Sequence, residues 1–326
     1  MPGIRVQYFL LPVISAVCRG QRSLRTDGGN SMPKSKDVSE KILEDHNDVF
    51  TDIVNGLVFN GREVIHEDEL ETIMPVSQLK MDDGLHEQER DVAKRWKRGS
   101  IILAVLGLEN QSAPEKEIPL RIVSYDGTSY KDQVNRRHSA MRRGEDVVPF
   151  YPSITIVLYF GSTHWSGPRN LRSCFDNLPK ELEPFIPDYP VHVIEVAFLS
   201  PEQIGKLKSD FRYVADYLVQ TRTNGKYVPT DGQIVHVDET LKLLGAITGD
   251  DRFQESMNTL TGRRQVTMSD VIDSYIAQGR EEARKEYEAV LAEKDRAMKA
   301  VLAEKDRAMK KMAEELRELK LRYGQA

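Results

Sequence analysis

Two carboxylates and an amide bracket the most apolar stretch of this sequence. Asp91 opens an alternating run in which Val92, Lys94 and Trp96 share one face and Asp91, Ala93 and Arg95 the other. Glu109-Asn110-Gln111 closes the nearly continuous apolar run Ile101 to Leu108. Between them, Lys97-Arg98-Gly99-Ser100 has the composition of a tight turn, with Gly99 able to take positive φ. A turn centred near Arg98 and Gly99 puts Asp91 roughly opposite Leu106, about three residues from Glu109, at the same open end of a hairpin. Glu109 and Gln111, two residues apart on a strand, face the same way. Two acids and an amide at the rim of a buried sheet suit a hard cation such as Mg²⁺, bound through oxygen. They equally suit plain polar strand ends, and spacing alone leaves both readings open.

The elements that must carry these residues follow from periodicity. Ser39 to Asn55 predicts an amphipathic helix with Ile42, Leu43, Val49, Phe50, Ile53, Val54 and Leu57 largely on one side. Its other side carries the stripe Glu44, Asp48, Asp52 at i, i+4, i+8. That stripe is either a solvated face or the source of a third acid, Asp48 or Asp52, leaning into a metal site. Leu79 to Glu89 is polar and reads as a loop or peripheral insertion. Ile101 to Leu108 is too apolar for a half-exposed strand and predicts a central one. Pro119 predicts a helix start, with Leu120, Ile122, Val123 and Tyr130 inward and Gly127 as a possible break.

Asn135 to Gly144 reads as a basic loop holding Arg136, Arg137, Arg142 and Arg143, suited either to solvent or to phosphates. Ile154 to Phe160 and His192 to Phe198 predict further strands, joined by an irregular Pro-rich connection. The resulting fold class is α/β, a mixed central sheet flanked by helices. Ser200-Pro201-Glu202-Gln203 is a capping box. It opens a helical region over 199–268, with Ile204, Leu207, Phe211, Val214 and Leu218 on one stripe and Asp238 capping a further helix.

Composition narrows the class. The chain has 326 residues, 40% hydrophobic and 30% charged, with a formal net charge of −5. That balance describes a soluble protein with room for a large core and gives no global sign of nucleic-acid binding. The charge is uneven, however. Asp91 to Arg143 holds eleven Lys/Arg against six Asp/Glu, an excess of five, whereas Lys36 to Arg90 holds fifteen acids against five bases. The two cysteines, Cys18 and Cys174, form no CxxC pair, which points to a reducing, cytoplasmic compartment. Seven scattered histidines without paired spacing argue against a His-based zinc enzyme. Val6 to Cys18 is apolar but too short to span a bilayer, so no membrane role is expected. Residues 1–31 are expected to be disordered or to precede the native start, with Met32 as the first residue.

The C-terminal region repeats itself. AVLAEKDRAMK occupies 289–299 and recurs unchanged at 300–310. An eleven-residue period favours a straight or slightly right-handed helical seam, here lined by Leu291, Met298, Leu302, Met309 and Leu316. A helix over 269–322 with so little to bury suggests a coiled coil and a homo-oligomer, although a single exposed charged helix fits the same pattern.

Several short strings occur in a fixed order. They are Asp48-Val49-Phe50-Thr51-Asp52-Ile53-Val54-Asn55, Arg90-Asp91-Val92, Glu109-Asn110-Gln111, Pro119-Leu120-Arg121, Tyr125-Asp126, Tyr130 and Tyr159-Phe160-Gly161. In that order they resemble the recombination-promoting nuclease/transposase family, a branch of the PD-(D/E)xK nuclease superfamily. The resemblance covers Ser39 to Phe198, and more weakly the helices to about Arg284. It implies a restriction-endonuclease-like core over 32–198 and Mg²⁺-dependent cleavage of DNA. By position, Asp91 and Glu109 would be the metal ligands, with the Asn110 carbonyl as a third. Gln111 would stand where the superfamily usually has Lys, orienting water or phosphate because an amide takes no proton at neutral pH. Arg90 stands where the superfamily name expects Pro. Arg121 and the four arginines of the basic segment would contact DNA phosphates. Two other readings share these residues: a DNA- or protein-binding member that has lost catalysis, and a scaffold working through its helical tail.

Overall fold

The computed structural model describes residues 42–73, 76–81, 84–89, 91–260 and 262–324. The expectations for residues 1–31, Cys18 and Met32, and the Arg90 position, lie outside the described residues. The strands are β1 (Leu70–Thr72), β2 (Val76–Met81), β3 (Gly84–Glu89), β4 (Val92–Arg98), β5 (Ile101–Gln111), β6 (Ser153–Tyr159) and β7 (His192–Glu195). Five of them form one open mixed sheet in the order β1-β4-β5-β6-β7. Its β1–β4 and β4–β5 pairs are antiparallel, and its β5–β6 and β6–β7 pairs are parallel. The segment expected to be a loop, Leu79 to Glu89, belongs instead to a separate antiparallel pair, β2 with β3.

The central hairpin forms with one difference in register. Val92 pairs with Leu108 and Arg98 with Ile101, with a bulge between Trp96 and Lys97. Continuing that register sets Asp91 opposite Glu109, three residues from the expected partner Leu106. The turn lies one residue later than expected, at Gly99-Ser100, and Gly99 takes φ +59° there. The bulge then adds one residue to the β5 side.

The two faces of the sheet are covered by different elements. A single 3₁₀ turn (Leu43–Asp45), helix α1 (Asn47–Ile53) and a π-helical turn (Val54–Val58) replace the continuous helix expected over Ser39–Asn55. His46, extended at φ −72° and ψ 132°, breaks it. Leu43, Val49, Phe50, Ile53 and Val54 are buried as predicted. Lys94 on β4 is fully buried against this layer: its ammonium donates to the Asp45 carbonyl (2.8 Å), the Asp45 carboxylate (3.1 Å) and Thr72 Oγ1 (2.8 Å). A buried ammonium requires such a shell, because desolvation otherwise outweighs the Coulomb gain.

Helix α2 (Ile118–Arg143) covers the other face. Gly127 does not break it, and the arginines expected in a loop occupy its last turns. Its buried stripe is Ile118, Ile122, Tyr125, Asp126 and Gln133, whereas Leu120 and Tyr130 are exposed. Ile118 and Ile122 pack on Val157, Tyr159, Trp165 and Val191. The Asp126 carboxylate, 2% exposed, pins the helix to the sheet by accepting from Ser153 Oγ (2.8 Å), Thr155 Oγ1 (3.4 Å) and the Tyr189 hydroxyl.

Beyond the sheet, the Ser200 capping box forms as predicted at α3 (Pro201–Gly205), and α4 (Phe211–Asn224) is a separate helix. Next come α5 (Val237–Thr248), with His236 rather than Asp238 at the N-cap position, and α6 (Arg252–Leu260). The last helix, α7, runs Met268–Tyr323. The described residues divide into two compact units at Ser269/Asp270, so the helices of 199–268 belong with the sheet. Among the described residues no helix is long and apolar enough to cross a membrane.

If Asp126 anchors α2, Asp126→Ala should lower unfolding stability by about 2–3 kcal/mol, since several buried donors lose a charged acceptor. Chemical denaturation of the variant beside the parent chain measures this.

Candidate active site

The acids at the end of the hairpin are connected through Asn110. The exposed Asp91 carboxylate accepts the Asn110 backbone N–H at 2.7 Å. On the α1 face, the Asn110 side-chain amide donates to Glu44 Oε1 at 3.2 Å. On the α2 face, Glu109 is 2% exposed, accepts from Gln111 Nε2 at 3.4 Å and forms an ion pair with Arg121. Arg121 also donates to the Tyr125 hydroxyl (3.1 and 3.2 Å) and to Glu115 (2.9 Å). Burial first, and then the neighbouring Glu109 charge, push the Tyr125 hydroxyl up, so it stays protonated.

A cavity of about 330 Å³ opens at this end of the sheet. Asp91, Asn110, Gln111 and Glu44 line it, with Phe160 and the α5 residues Glu239, Lys242, Leu243 and Ile247 opposite. Of the sequence-predicted residues, Asp91, Asn110 and Gln111 thus line one cavity, while Glu109, next to them at the same end of the hairpin, is held by Arg121 on the α2 face.

The third acid differs from expectation. Asp52 accepts the backbone N–H groups of Lys208 (2.9 Å) and Ser209 (2.7 Å), and Asp48 lies 2.8 Å from His236 Nε2. Neither joins the hairpin acids, because the extended His46 ends the helical phase that would have aligned the stripe. Glu44 is the acid that reaches Asn110 and the cavity. It stood at the head of the same stripe, and its single departure from helical phase was invisible to periodicity.

Glu44 is fully buried, and among the described residues its Oε2 has no hydrogen-bond partner. Desolvation, partly offset by its own backbone N–H and by Asn110 and reinforced by the Asp91 charge, pushes its pKa from 4.5 up to about 7. The Asn110 Oδ1 is likewise buried without a partner. Unsatisfied oxygens of this kind are costly, and here they adjoin a cavity and a second carboxylate. An oxygen-rich set of that sort fits a hard divalent cation. Against this, the Arg121 guanidinium already neutralises Glu109.

Arg136, Arg142 and Arg143 are exposed at the far end of α2, and Arg137 is half-buried there. Arg136 pairs with Asp132 (2.6 Å), Arg143 with Glu145 (2.6 Å), Arg142 reaches Ser139 (3.3 Å), and Arg137 lies over Phe150. Along the helix they lie roughly 22–33 Å from Arg121, at 1.5 Å per residue.

The sequence reading also missed a histidine cluster. His46 and His236, 190 positions apart, stack with ring centroids 3.7 Å apart beside Asp48. Motif spacing has no access to a pair of that kind. No protein-family model, curated protein or solved structure matches this chain.

With metal removed by EDTA, Glu44 keeps a proton in the folded chain that the unfolded chain releases above pH 4.5. Its contribution to stability is therefore fully present below that pH and declines as pH rises to about 7. The loss expected from Glu44 is about 3 kcal/mol. Glu44→Gln should remove this part of the pH dependence, which denaturant midpoints at pH 4.5, 6 and 8 would read.

Proposed function

We propose that this protein is a Mg²⁺-dependent DNA endonuclease with a restriction-endonuclease-like core, acting in recombination or on mobile DNA. The observation that carries the reading is the convergence of Asp91, Glu109 and Gln111 at the end of an antiparallel hairpin, joined through Asn110 to the buried Glu44. The order of hairpin, covering helix α2 and parallel strand β6 supports the same core.

In this reading Asp91, Glu109 and the Asn110 carbonyl hold the cation, and Glu44 is the acid contributed by the first helical segment. Mg²⁺ supplies neutralisation of charge at the scissile phosphate and acidification of the attacking water. Gln111 orients that water or the phosphate through its amide. Arg121, fixed by Glu109, Glu115 and Tyr125, presents a guanidinium to phosphate oxygens. Arg136, Arg137, Arg142 and Arg143 contact the backbone six to ten base pairs away, at roughly 3.4 Å of rise per pair.

One observation favours a second reading, a DNA-binding protein without catalysis: the Arg121 ion pair occupies Glu109, and Lys is replaced by Gln111. Nicking of supercoiled plasmid separates the two. The nuclease reading expects nicking in Mg²⁺, none in EDTA, and a loss of at least about 100-fold in Asp91→Ala, the scale on which a centre built on metal electrostatics depends. Plasmid retarded on a gel yet uncut under all conditions establishes the binding reading. Neither cutting nor retardation sinks both.

Oligomerisation through α7 completes the proposal. Leu291, Met298, Leu302, Met309 and Leu316 are 43–65% exposed, an apolar seam on a charged helix that also exposes Val290, Val301, Met312 and Leu319. A homodimer would present two cores to the two DNA strands. Light scattering should then show a multiple of the 37.2 kDa chain mass, falling to one chain in Leu302→Glu/Met309→Glu. An unchanged mass in that variant would rule out the seam.

A further inference from the structure

Between the start of α1 and the start of α5 lie four side chains of metal-ligating type. Ligand atoms of His46, Asp48 and His236 all fall within 4.8 Å of one another. The His236 Nε2 is 2.8 Å from Asp48 Oδ2, and His46 Nε2 is 3.3 Å from Glu239 Oε1. We propose that His46, Asp48 and His236, with Glu239 beside His46, form a binding site for a transition-metal dication of the Zn²⁺ class, separate from the hairpin acids.

Three observations support the assignment. A tetrahedral Zn²⁺ with arms of about 2.0–2.1 Å has ligand–ligand edges of roughly 3.3 Å; His46 and Glu239 stand at 3.3 Å, while His236 and Asp48, hydrogen-bonded at 2.8 Å, would open slightly around an ion. The His46 Nε2 is buried yet makes no hydrogen bond among the described residues: at 3.3 Å from Glu239 it lacks the alignment of one. Both imidazoles are largely buried, at 16% and 17% exposure; they stack with centroids 3.7 Å apart, so one ring turns for both nitrogens to face one ion.

Electrostatics weigh the same way. His46 and His236 are the N-cap residues of α1 and α5, and each helix start presents roughly half a positive charge. Asp48 and Glu239 bring two negative charges, and Asp210, which accepts the His236 N–H at 2.6 Å, adds a third behind them. The negative side exceeds the positive. Imidazole with carboxylate selects Zn²⁺ and its neighbours over Mg²⁺ or Ca²⁺, which take oxygen alone. Bound there, the ion would tie the sheet's first helix to α5, whose Glu239 and Lys242 also line the cavity beside Glu44.

The proposal does not depend on the nuclease reading, and its test reads binding. Chelator-stripped protein would be titrated with Zn²⁺ by calorimetry and with Co²⁺ by visible absorption. One equivalent should bind, and the Co²⁺ adduct should show the intense visible band of a tetrahedral site. His46→Ala and His236→Ala should each weaken Zn²⁺ beyond the roughly 10–100-fold that loss of an outer-sphere partner costs. Asp91→Ala should leave it unchanged. His46→Asn and His236→Asn, which keep a polar side chain, guard against unfolding and should show native circular dichroism with the same loss. Zn²⁺ binding that survives both histidine changes, that disappears in Asp91→Ala, or that is absent at micromolar Zn²⁺ overturns the site.

Discussion

The β4–β5 register is the constraint on which the candidate site rests. In a sheet whose side chains alternate with period two, a slip of one residue would send Glu109 and Gln111 to the α1 face and Asn110 to the α2 face. Two features hold the register: the two-residue turn, with Gly99 in the left-handed region, and the bulge at Trp96/Lys97. Burial enforces it from both sides. Val92, Leu106 and Leu108 are at most 4% exposed on one face, and Ala93, Val105 and Glu109 on the other. The Asn110 amide then falls on the Asp91 carboxylate, and its side chain falls on Glu44. The linkage of Asp91 to Glu44 is thus a consequence of backbone pairing, with Asn110 reading both faces at once.

Much of this was legible in the sequence for a stated physical reason. Alternation and an apolar run located the hairpin, and a charged residue after such a run marked Glu109 before any geometry was known. The capping box at Ser200 formed as written, because it depends only on residues three apart. What failed was whatever depended on phase across a break. His46 leaves helical φ/ψ, so Glu44 departs from the stripe that Asp48 and Asp52 continue. In α2 the inward stripe contains Asp126 and Gln133, polar residues that an apolar count passes over, since their partners Ser153, Tyr189 and Tyr151 lie elsewhere in the chain. The arginines were read as a loop because a basic, polar stretch has no apolar period, yet they continue a helix begun 18 residues earlier at Ile118.

The fate of the acids around the first helix shows how the fold distributes charge. Asp52 satisfies backbone N–H groups ahead of α4, and Asp48 meets His236 ahead of α5. These contacts fasten the helices of 199–268 to the first helical layer. They also explain why strings resembling a nuclease's first helix do not by themselves identify its metal ligand: an acid can be placed there to hold a neighbouring helix.

Glu44 and Asp45 make the comparison sharpest, because they are adjacent in one 3₁₀ turn. Lys94 is fully buried and bonded to Asp45 by two contacts and to Thr72 by a third. Its charge is spent on the Asp45 side, while Glu44 receives one amide bond from Asn110 and keeps an unsatisfied oxygen. Redirecting the ammonium to Glu44 would relieve the desolvation that pushes that carboxyl to about 7, but it would strand Asp45 and Thr72. A fold selected for stability alone would place an apolar side chain at 44 and recover that cost. In the reading proposed above, a carboxyl group held there beside Asp91, at the wall of a cavity, is one that a cation arriving from solvent would bring into charge balance.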